Sequence, residues 1–347
     1  MSEIITPLTG VAFLAFPEMK ERLLRELKAR FPDMSTQYKE YGDLIYCPDW
    51  QLAHGTIKTP YGSYNLPYWA KITYLEPFLA EFESIGMAAR LLKQMQRNWA
   101  PYQYTQFRRA ALIQETLPYI NLKTRRFPCS IPASNIGAYT NIDKNNLIAS
   151  AKTSSYLPTG TIVLEEDHIN PPSRAYLKLQ EALILSSSIG GGCFKMPINE
   201  NELPQPYAVP LPSKNMRCLD AGGSPGGWTW VLRQFGCDVT AIDRTELSPS
   251  LMADKKVSFI KHDAFSLTPE QLGVFDWIFS DIICYPERLL EWIHMWIDSK
   301  AETNMICTIK MQGEINWGTI AHFANIRHSR IVHLNYNKHE FTWIYTR

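Results

Sequence analysis

The chain has 347 residues, enough for about two domains. Of these, 45% are hydrophobic and 12% aromatic, which excludes a disordered chain. Lys and Arg number 35 against 34 Asp and Glu, a net charge of +1. That excludes a globally basic nucleic-acid coat but not a local basic face.

No apolar run approaches the roughly 18 residues of a membrane span. Met1–Pro7 has no basic start and no long apolar stretch, so neither a membrane partner nor a secretory signal is expected. Seven cysteines are scattered, an odd number with no Cys-x-x-Cys pair. This pattern argues against a disulfide framework or structural zinc and suits buried thiols in a reducing, cytoplasmic setting. His262, His322, His328, His333 and His339 are dispersed, so no metal site is expected.

Gly10–Phe16 is a short apolar run that reads as a strand. Residues 17–31 carry Met19, Leu23, Leu24, Leu27 and Phe31 at helical spacing after Pro17, and Pro32 ends the helix. Tyr41–Cys47 reads as a second strand. Residues 1–70 are therefore expected to form a small ferredoxin-like α+β module.

Residues 76–99 read as a further helix. From Arg90 to Arg126 the chain turns basic, with Arg90, Lys93, Arg97, Arg108, Arg109, Lys123, Arg125 and Arg126 against the single acid Glu115, a net of +7. Trp99, Tyr102, Tyr104, Phe107 and Tyr119 are interleaved. Aromatic faces stack on bases and cations pair with phosphates, so this mixture suits RNA. A solvated helix face over core aromatics accounts for the same composition. Arg90, Arg97, Arg108, Arg109, Lys123, Arg125 and Arg126 are the candidate RNA contacts.

Leu157–Leu164 closes a strand-rich stretch, and Asn170-Pro-Pro172 marks a domain boundary. A helix is expected from Ser173 to Leu185, followed by a long loop through Gly190–Pro212. Beyond Met216 strands and helices alternate. The strands are Met216–Asp220, Asp238–Asp243, Val257–Ile260 leading to Asp263, Phe275–Asp281 and Met305–Lys310. This is a doubly wound α/β pattern, in which ligands bind at the C-terminal strand ends.

The first strand runs into Ala221-Gly-Gly-Ser-Pro-Gly-Gly227, a turn that lets a ligand approach the backbone. Asp243 lies 21 residues after Gly222, where it can accept from ribose hydroxyls. A dinucleotide site needs G-x-G-x-x-G. Counting from Gly222 places Ser224 third, and counting from Gly223 places Pro225 third, so that motif fails. Asp220 before the turn and Ser-Pro-Gly-Gly within it suit the amino-acid end of S-adenosylmethionine better than a pyrophosphate. Each strand-end acid could singly be a cap or turn residue. Asp243, Asp263 and Asp281 at successive strand ends make that account poor.

The stretch Asp220-Ala-Gly-Gly-Ser-Pro-Gly-Gly-Trp228 resembles the first motif of the FtsJ-like RNA ribose 2′-O-methyltransferases, whose members use a Lys-Asp-Lys-Glu tetrad. Lys178 in Ser173-Arg-Ala-Tyr-Leu-Lys-Leu-Gln-Glu181, Asp281, Lys310 and Glu340 stand at the matching places. The resemblance spans about residues 170–347. Pro172-Ser-Arg, Leu177-Lys-Leu, Pro225-Gly-Gly-Trp-Thr and Asp281-Ile are closest to the branch that methylates a cytidine of bacterial large-subunit (23S) rRNA. In that branch a THUMP domain precedes the catalytic one.

The resemblance implies an α/β protein. A Rossmann-like methyltransferase domain over residues 169–347 would follow a ferredoxin-like module (1–70) and a THUMP-like or reduced RNA-binding region (71–168). It implies Lys310 as general base, with a pKa depressed by burial and a neighbouring cation. Lys178 would steer the hydroxyl, Asp281 would hold Lys310, and Glu340 would orient Lys178 or the ribose. S-adenosylmethionine would meet Gly222, Ser224, Pro225, Gly226, Gly227 and Trp228 at its methionine part. Asp243 would take its ribose, Asp263 its adenine, and Asp281 would lie near the methyl donor. RNA, as large-subunit rRNA, is the expected partner of a monomer or weak oligomer. The alternatives are a non-catalytic RNA-binding protein that keeps the fold, a methyltransferase acting on tRNA or an mRNA cap, and a nicotinamide-dependent oxidoreductase.

Overall fold

In a computed structural model, residues 4–195, 205–299 and 303–347 are described. The chain forms two compact units. The first comprises Met1–Arg125, Ser130–Val163 and Ser188–Ala208, and the second Arg126–Cys129, Leu164–Ser187 and Val209–Arg347.

In the first unit, Val11–Ala15, Lys39–Tyr41, Leu44–Cys47 and Ala70–Tyr74 form an antiparallel sheet. Numbered one to four in chain order, these strands lie 4-1-3-2 across the sheet. The expected second strand is a hairpin turning at Gly42, whose φ of +68° suits glycine. The helix between strands one and two spans Lys20–Arg30. No second helix joins strands three and four; the hairpin His54–Thr59/Gly62–Tyr64 lies there instead. Glu26 is fully buried on the helix, where it accepts the backbone N–H groups of Tyr68 and Trp69 and pairs with Arg30.

A second sheet orders Ile4–Pro7, Phe78–Glu81, Asn146–Ser150, Gly137–Asn141 and Trp99–Pro101. The expected helix over 76–99 is therefore a strand, a helix over Ile85–Met95 and another strand. Alternate residues of Phe78–Glu81 are buried, a period of two, and Ser84 caps the helix by accepting from Met87 N–H. Ala12, Leu14, Leu44 and Ile72 of the first sheet pack on Ala138 and Ile148 of the second. The far face of the second sheet, with Phe78 and Tyr139, packs on Leu91, Leu92 and Ile113 of two helices, the second being Phe107–Thr116. Ile4–Pro7 pairs with Phe78–Glu81, so one sheet joins segments from both sides of residue 70.

The described residues of the second unit hold seven sheet strands. They are β1 (Arg217–Ala221), β2 (Asp238–Asp243), β3 (Val257–Lys261), β4 (Trp277–Ser280), β5 (Asn304–Lys310), β6 (Ser329–Val332) and β7 (Glu340–Tyr345). The sheet order is β3-β2-β1-β4-β5-β7-β6, parallel except for β7, which runs antiparallel to both neighbours. The longer helices are α1 (Tyr176–Ser187), α2 (Gly227–Gln234), α3 (Pro286–Asp298) and α4 (Trp317–Asn325). Helix α1 is apolar on nearly every side and buried from Tyr176 to Ser186, so its few polar residues need protein partners. The expected loop Gly190–Pro212 lies partly outside the described residues, and its described ends pair Phe194–Lys195 with Gln205–Pro206. Among the described residues, no helix is long and apolar enough to cross a membrane.

Candidate active site

The sheet order reverses at β1/β4, where doubly wound folds bind ligands. Asp281 follows the last residue of β4, Lys310 ends β5, and Glu340 begins β7, three adjacent strands. The antiparallel register sets Lys310 directly opposite Glu340. Buried α1 supplies Lys178.

The four side chains form a closed ring of alternating charge. Lys178 Nζ donates to Asp281 Oδ2 at 2.6 Å and to Glu340 Oε1 at 3.0 Å. Lys310 Nζ donates to Asp281 Oδ1 at 2.7 Å and to Glu340 Oε2 at 2.8 Å. All four are only 10–17% exposed, so their mutual attraction is weakly screened. The ring balances its own charge, which is how paired ions persist in a low-dielectric setting.

Burial opposes ionisation of Asp281, but the Lys178 and Lys310 ammoniums outweigh it and hold the carboxyl below its usual range. The pKa of Lys310 departs from the expected depression. Burial does push it down, yet Asp281 and Glu340 pull harder, and its pKa lies above the ordinary lysine value. The neighbouring cation Lys178 is itself paired to the same two carboxylates, so it does not act alone on Lys310.

The glycine turn is built for close approach. Gly222 sits at φ +80°, and a Cβ there would lie 2.3 Å from Ile282 Cγ1. Gly226 precedes α2 as its N-cap at φ +116° with Leu251 against it, and a Cβ on Gly227 would meet Ser173 Oγ at 2.4 Å. Bare backbone at Gly227 thus admits the lead into α1, the helix that carries Lys178. Ser224 N–H and Thr245 N–H each donate to one oxygen of Asp243, which ties the turn to the end of β2. Ser224 Oγ donates to Glu246 O, and Pro225 O accepts from Ser248 N–H.

Two expected cofactor residues have structural work of their own. Trp228 is buried, its Nε1 donates to Ala175 O at 2.9 Å, and its ring meets Phe279 edge-on; it braces the start of α1. Asp263 accepts from Phe265 N–H as a cap and pairs with Arg244 and Arg288. Burial opposes its ionisation, but Arg288 and the other donors hold the carboxyl below its usual range.

Sequence reasoning assigned no role to Glu181, and it read Asp220 only as the acid before the glycine turn, suited to the amino-acid end of S-adenosylmethionine. Glu181 accepts the backbone N–H groups of Asn335 and Tyr336 and so anchors α1 to the lead into β7. The signal was an acid within a mostly apolar helix. Asp220 is fully buried at the end of β1. Thr229 Oγ1 donates to its Oδ2 at 2.6 Å, while Oδ1 has no hydrogen-bond partner among the described residues. Burial, with the charges of Asp281 and Asp243 adding to it, pushes its pKa up to about 7.

The residues of the basic run fall in both units. In the first unit Arg108 and Arg109 share a depression with Lys144 and the exposed Phe107, and Lys123 and Arg125 line a separate cavity. Arg90 is exposed in the middle of the helix Ile85–Met95, and Arg97 is exposed just beyond its end. Arg126 belongs to the second unit. Trp99, interleaved in this run, is a core residue whose Nε1 donates to Leu92 O and Gln96 O. Tyr104, Phe107 and Tyr119 are exposed. Among the described residues, no group of three His, Cys, Asp or Glu could hold a metal ion.

Residues 172–294 match the FtsJ-like methyltransferase family. This range includes Lys178, the glycine turn, Asp243, Asp263 and Asp281, and stops short of Lys310 and Glu340. Among curated relatives, "Ribosomal RNA large subunit methyltransferase M" of Alkalilimnicola ehrlichii is 32% identical over 150 residues, covering 43% of this chain and 37% of that protein. The protein of that name from Halorhodospira halophila is 34% identical over 142 residues, 41% of this chain and 36% of its own. That from Xylella fastidiosa is 35% identical over 146 residues, 42% and 36%. The matched stretch thus spans little more than a third of each of these relatives. A methyltransferase match leaves the oxidoreductase alternative without support. The site suits S-adenosylmethionine on its own terms, since ribose hydroxyls need acceptors and Asp243 sets a carboxylate beside a bare glycine turn. The chain carries an FtsJ-like methyltransferase domain over residues 172–294, and S-adenosylmethionine is the cofactor of that domain.

Proposed function

We propose that this chain transfers a methyl group from S-adenosylmethionine to a ribose 2′-hydroxyl of RNA, a cytidine of large-subunit rRNA being the substrate favoured by the names of its relatives. The observation that carries the reading is the closed Lys178–Asp281–Lys310–Glu340 ring at the ends of β4, β5 and β7.

S-adenosylmethionine, when bound, supplies an electrophilic methyl group. Gly222, Ser224, Pro225, Gly226 and Gly227 would hold its methionine part, Asp243 its ribose and Asp263 its adenine. The chain's own residues must then position a hydroxyl and remove its proton. Lys310 Nζ is the acceptor in its neutral form, and Asp281 and Glu340 fix that nitrogen from two sides. Lys178, bridging the same carboxylates, keeps them from swinging toward the hydroxyl. Such fixed geometry replaces reorganisation at the moment of reaction. The basic and aromatic surface residues of the first unit, Arg90, Arg97, Arg108, Arg109, Lys123 and Arg125, with Arg126 of the second, would hold the RNA.

The test is methyl transfer from isotope-labelled S-adenosylmethionine to unmodified rRNA and tRNA, with digestion to nucleosides and mass spectrometry. Label in a 2′-O-methylated nucleoside of large-subunit rRNA is the expected result. Label on a base would overturn the tetrad's role.

A further inference from the structure

The first unit contains a cavity of about 320 Å³ with no part in the methyl-transfer site. Its floor is aliphatic and buried: Ile131, Ile136, Leu157 and Ile162. Tyr156 forms part of the wall. Among the described residues, Lys123 and Arg125 are its charged lining residues, with no Asp or Glu beside them. Leu122 and Val163 leave apolar surface exposed at the rim, at 48% and 46%. Arg125 N–H donates to Val163 O at 2.8 Å, which ties the two rim segments together. Thr159, also in the lining, holds a left-handed backbone at φ +53°. That conformation is costly for a β-branched residue and gathers at ligand sites.

These features select a ligand of mixed character. An inorganic anion has no use for four aliphatic side chains, and a neutral apolar ligand has no use for two cations. A flat body with a negative charge at one end satisfies both, and the volume is at the small end of ligand cavities. A single nucleotide has this form, with its base among Ile136, Leu157 and Tyr156 and its phosphate toward Lys123 and Arg125. The amide of Asn98 donates to Ser134 Oγ and Asn135 O, which leaves its side-chain oxygen for a base edge.

We propose that this cavity takes one unstacked nucleotide of a single-stranded RNA segment, a contact that rests on the RNA reading above and assigns it a specific place. Single-stranded RNA is recognised by removing bases from their stack and seating them singly.

The experiment uses the full chain and a fluorescein-labelled RNA octamer of mixed sequence carrying 4-thiouridine. Ser134→Trp and Thr161→Trp fill the cavity from two walls without changing charge, and Ser134 is exposed, so its substitution spares the core. Each is expected to weaken octamer binding about tenfold, and cross-links are expected within 120–125 or 156–163. Wild-type affinity in both filled variants, or cross-links confined to other residues, overturns the proposal. Cytidine monophosphate bound as tightly as the octamer also overturns it, because the site would then serve a free nucleotide. Labelling of rRNA is followed in parallel. Wild-type methyl transfer with unaffected filled variants removes the cavity proposal alone, whereas a wild-type chain that neither binds nor methylates RNA removes the RNA reading and the cavity proposal with it.

Discussion

Lys310 and Glu340 face each other in the antiparallel pairing of β5 and β7, and their side chains meet at 2.8 Å. Directly opposed residues on neighbouring strands are the closest side-chain pairs a sheet offers. The register of the last strand therefore fixes the ring, and a one-residue slip would turn Glu340 to the other face.

The raised pKa of Lys310 has a kinetic consequence. A base must be neutral to accept a proton, and Asp281 and Glu340 favour the ammonium. The single-turnover rate of the wild-type protein should rise about tenfold per pH unit between roughly pH 7 and pH 9, because the neutral fraction grows in that proportion below the pKa. Lys310→Ala should lower the rate by about a thousandfold while cofactor affinity holds. A flat pH profile, or full activity in the variant, would remove Lys310 as the base.

Glu340→Gln keeps the shape of the side chain and removes one of the two charges that raise the Lys310 pKa. The pH–rate profile should move to lower pH. A purely structural role for Glu340 predicts a slower enzyme with an unmoved profile, so single-turnover rates against pH separate the two.

Glu181→Ala leaves the backbone N–H groups of Asn335 and Tyr336 without their acceptor. A loss of about 2 kcal/mol in unfolding free energy is expected from donors stranded in a partly buried site. Urea denaturation measures it. Glu181→Gln, which retains an acceptor oxygen, should recover part of the loss.

Asp220 gives a pH dependence of the opposite sense to an ordinary paired carboxylate. Its folded pKa, about 7, lies above the usual carboxylate value near 3.9. Folding thus favours the protonated form. The associated stability is complete below about pH 4 and is lost as pH rises through about 7. Asp220→Asn removes the ionisation, so its melting temperature relative to wild type should be several degrees higher at pH 8 than at pH 5. An equal difference at both pH values would show that Asp220 does not titrate in this window.

Arg108 and Lys144 share one depression with exposed Phe107. Arg108→Glu with Lys144→Glu should weaken RNA binding and flatten the plot of log affinity against log salt by roughly 1.4 for two phosphate contacts on a single strand. Binding of S-adenosylmethionine should not change. An unaltered salt slope would exclude this surface from the RNA interface.

Much of the second unit was legible in the chain itself. Short apolar runs ending in Asp220, Asp243, Asp281 and Lys310 announce strands with polar tips, because strand length and alternation are local properties. The glycine turn was equally plain, since only glycine tolerates the backbone of Gly222 and Gly226. Local patterns decided less in the first unit. Residues 76–84 carry apolar side chains at spacings compatible with a helix, and pairing of Phe78–Glu81 with Ile4–Pro7 and Asn146–Ser150 makes them a strand. Trp99 looked like a stacking platform beside its arginines and is a core residue, because burial depends on partners distant in the chain.

The residue types of the candidate site were set by the sequence alone: two lysines, two carboxylates and a bare glycine turn. Their meeting was not. Lys178 and Glu340 lie 162 positions apart, and only the packing of α1 against the ends of β4, β5 and β7 closes the ring. The sign of the Lys310 shift also belongs to the tertiary structure. Burial alone would lower that pKa, and the positions of Asp281 and Glu340, within 3 Å of one nitrogen, raise it instead. Electrostatic energies vary with separation and local dielectric, and both are properties of the folded chain.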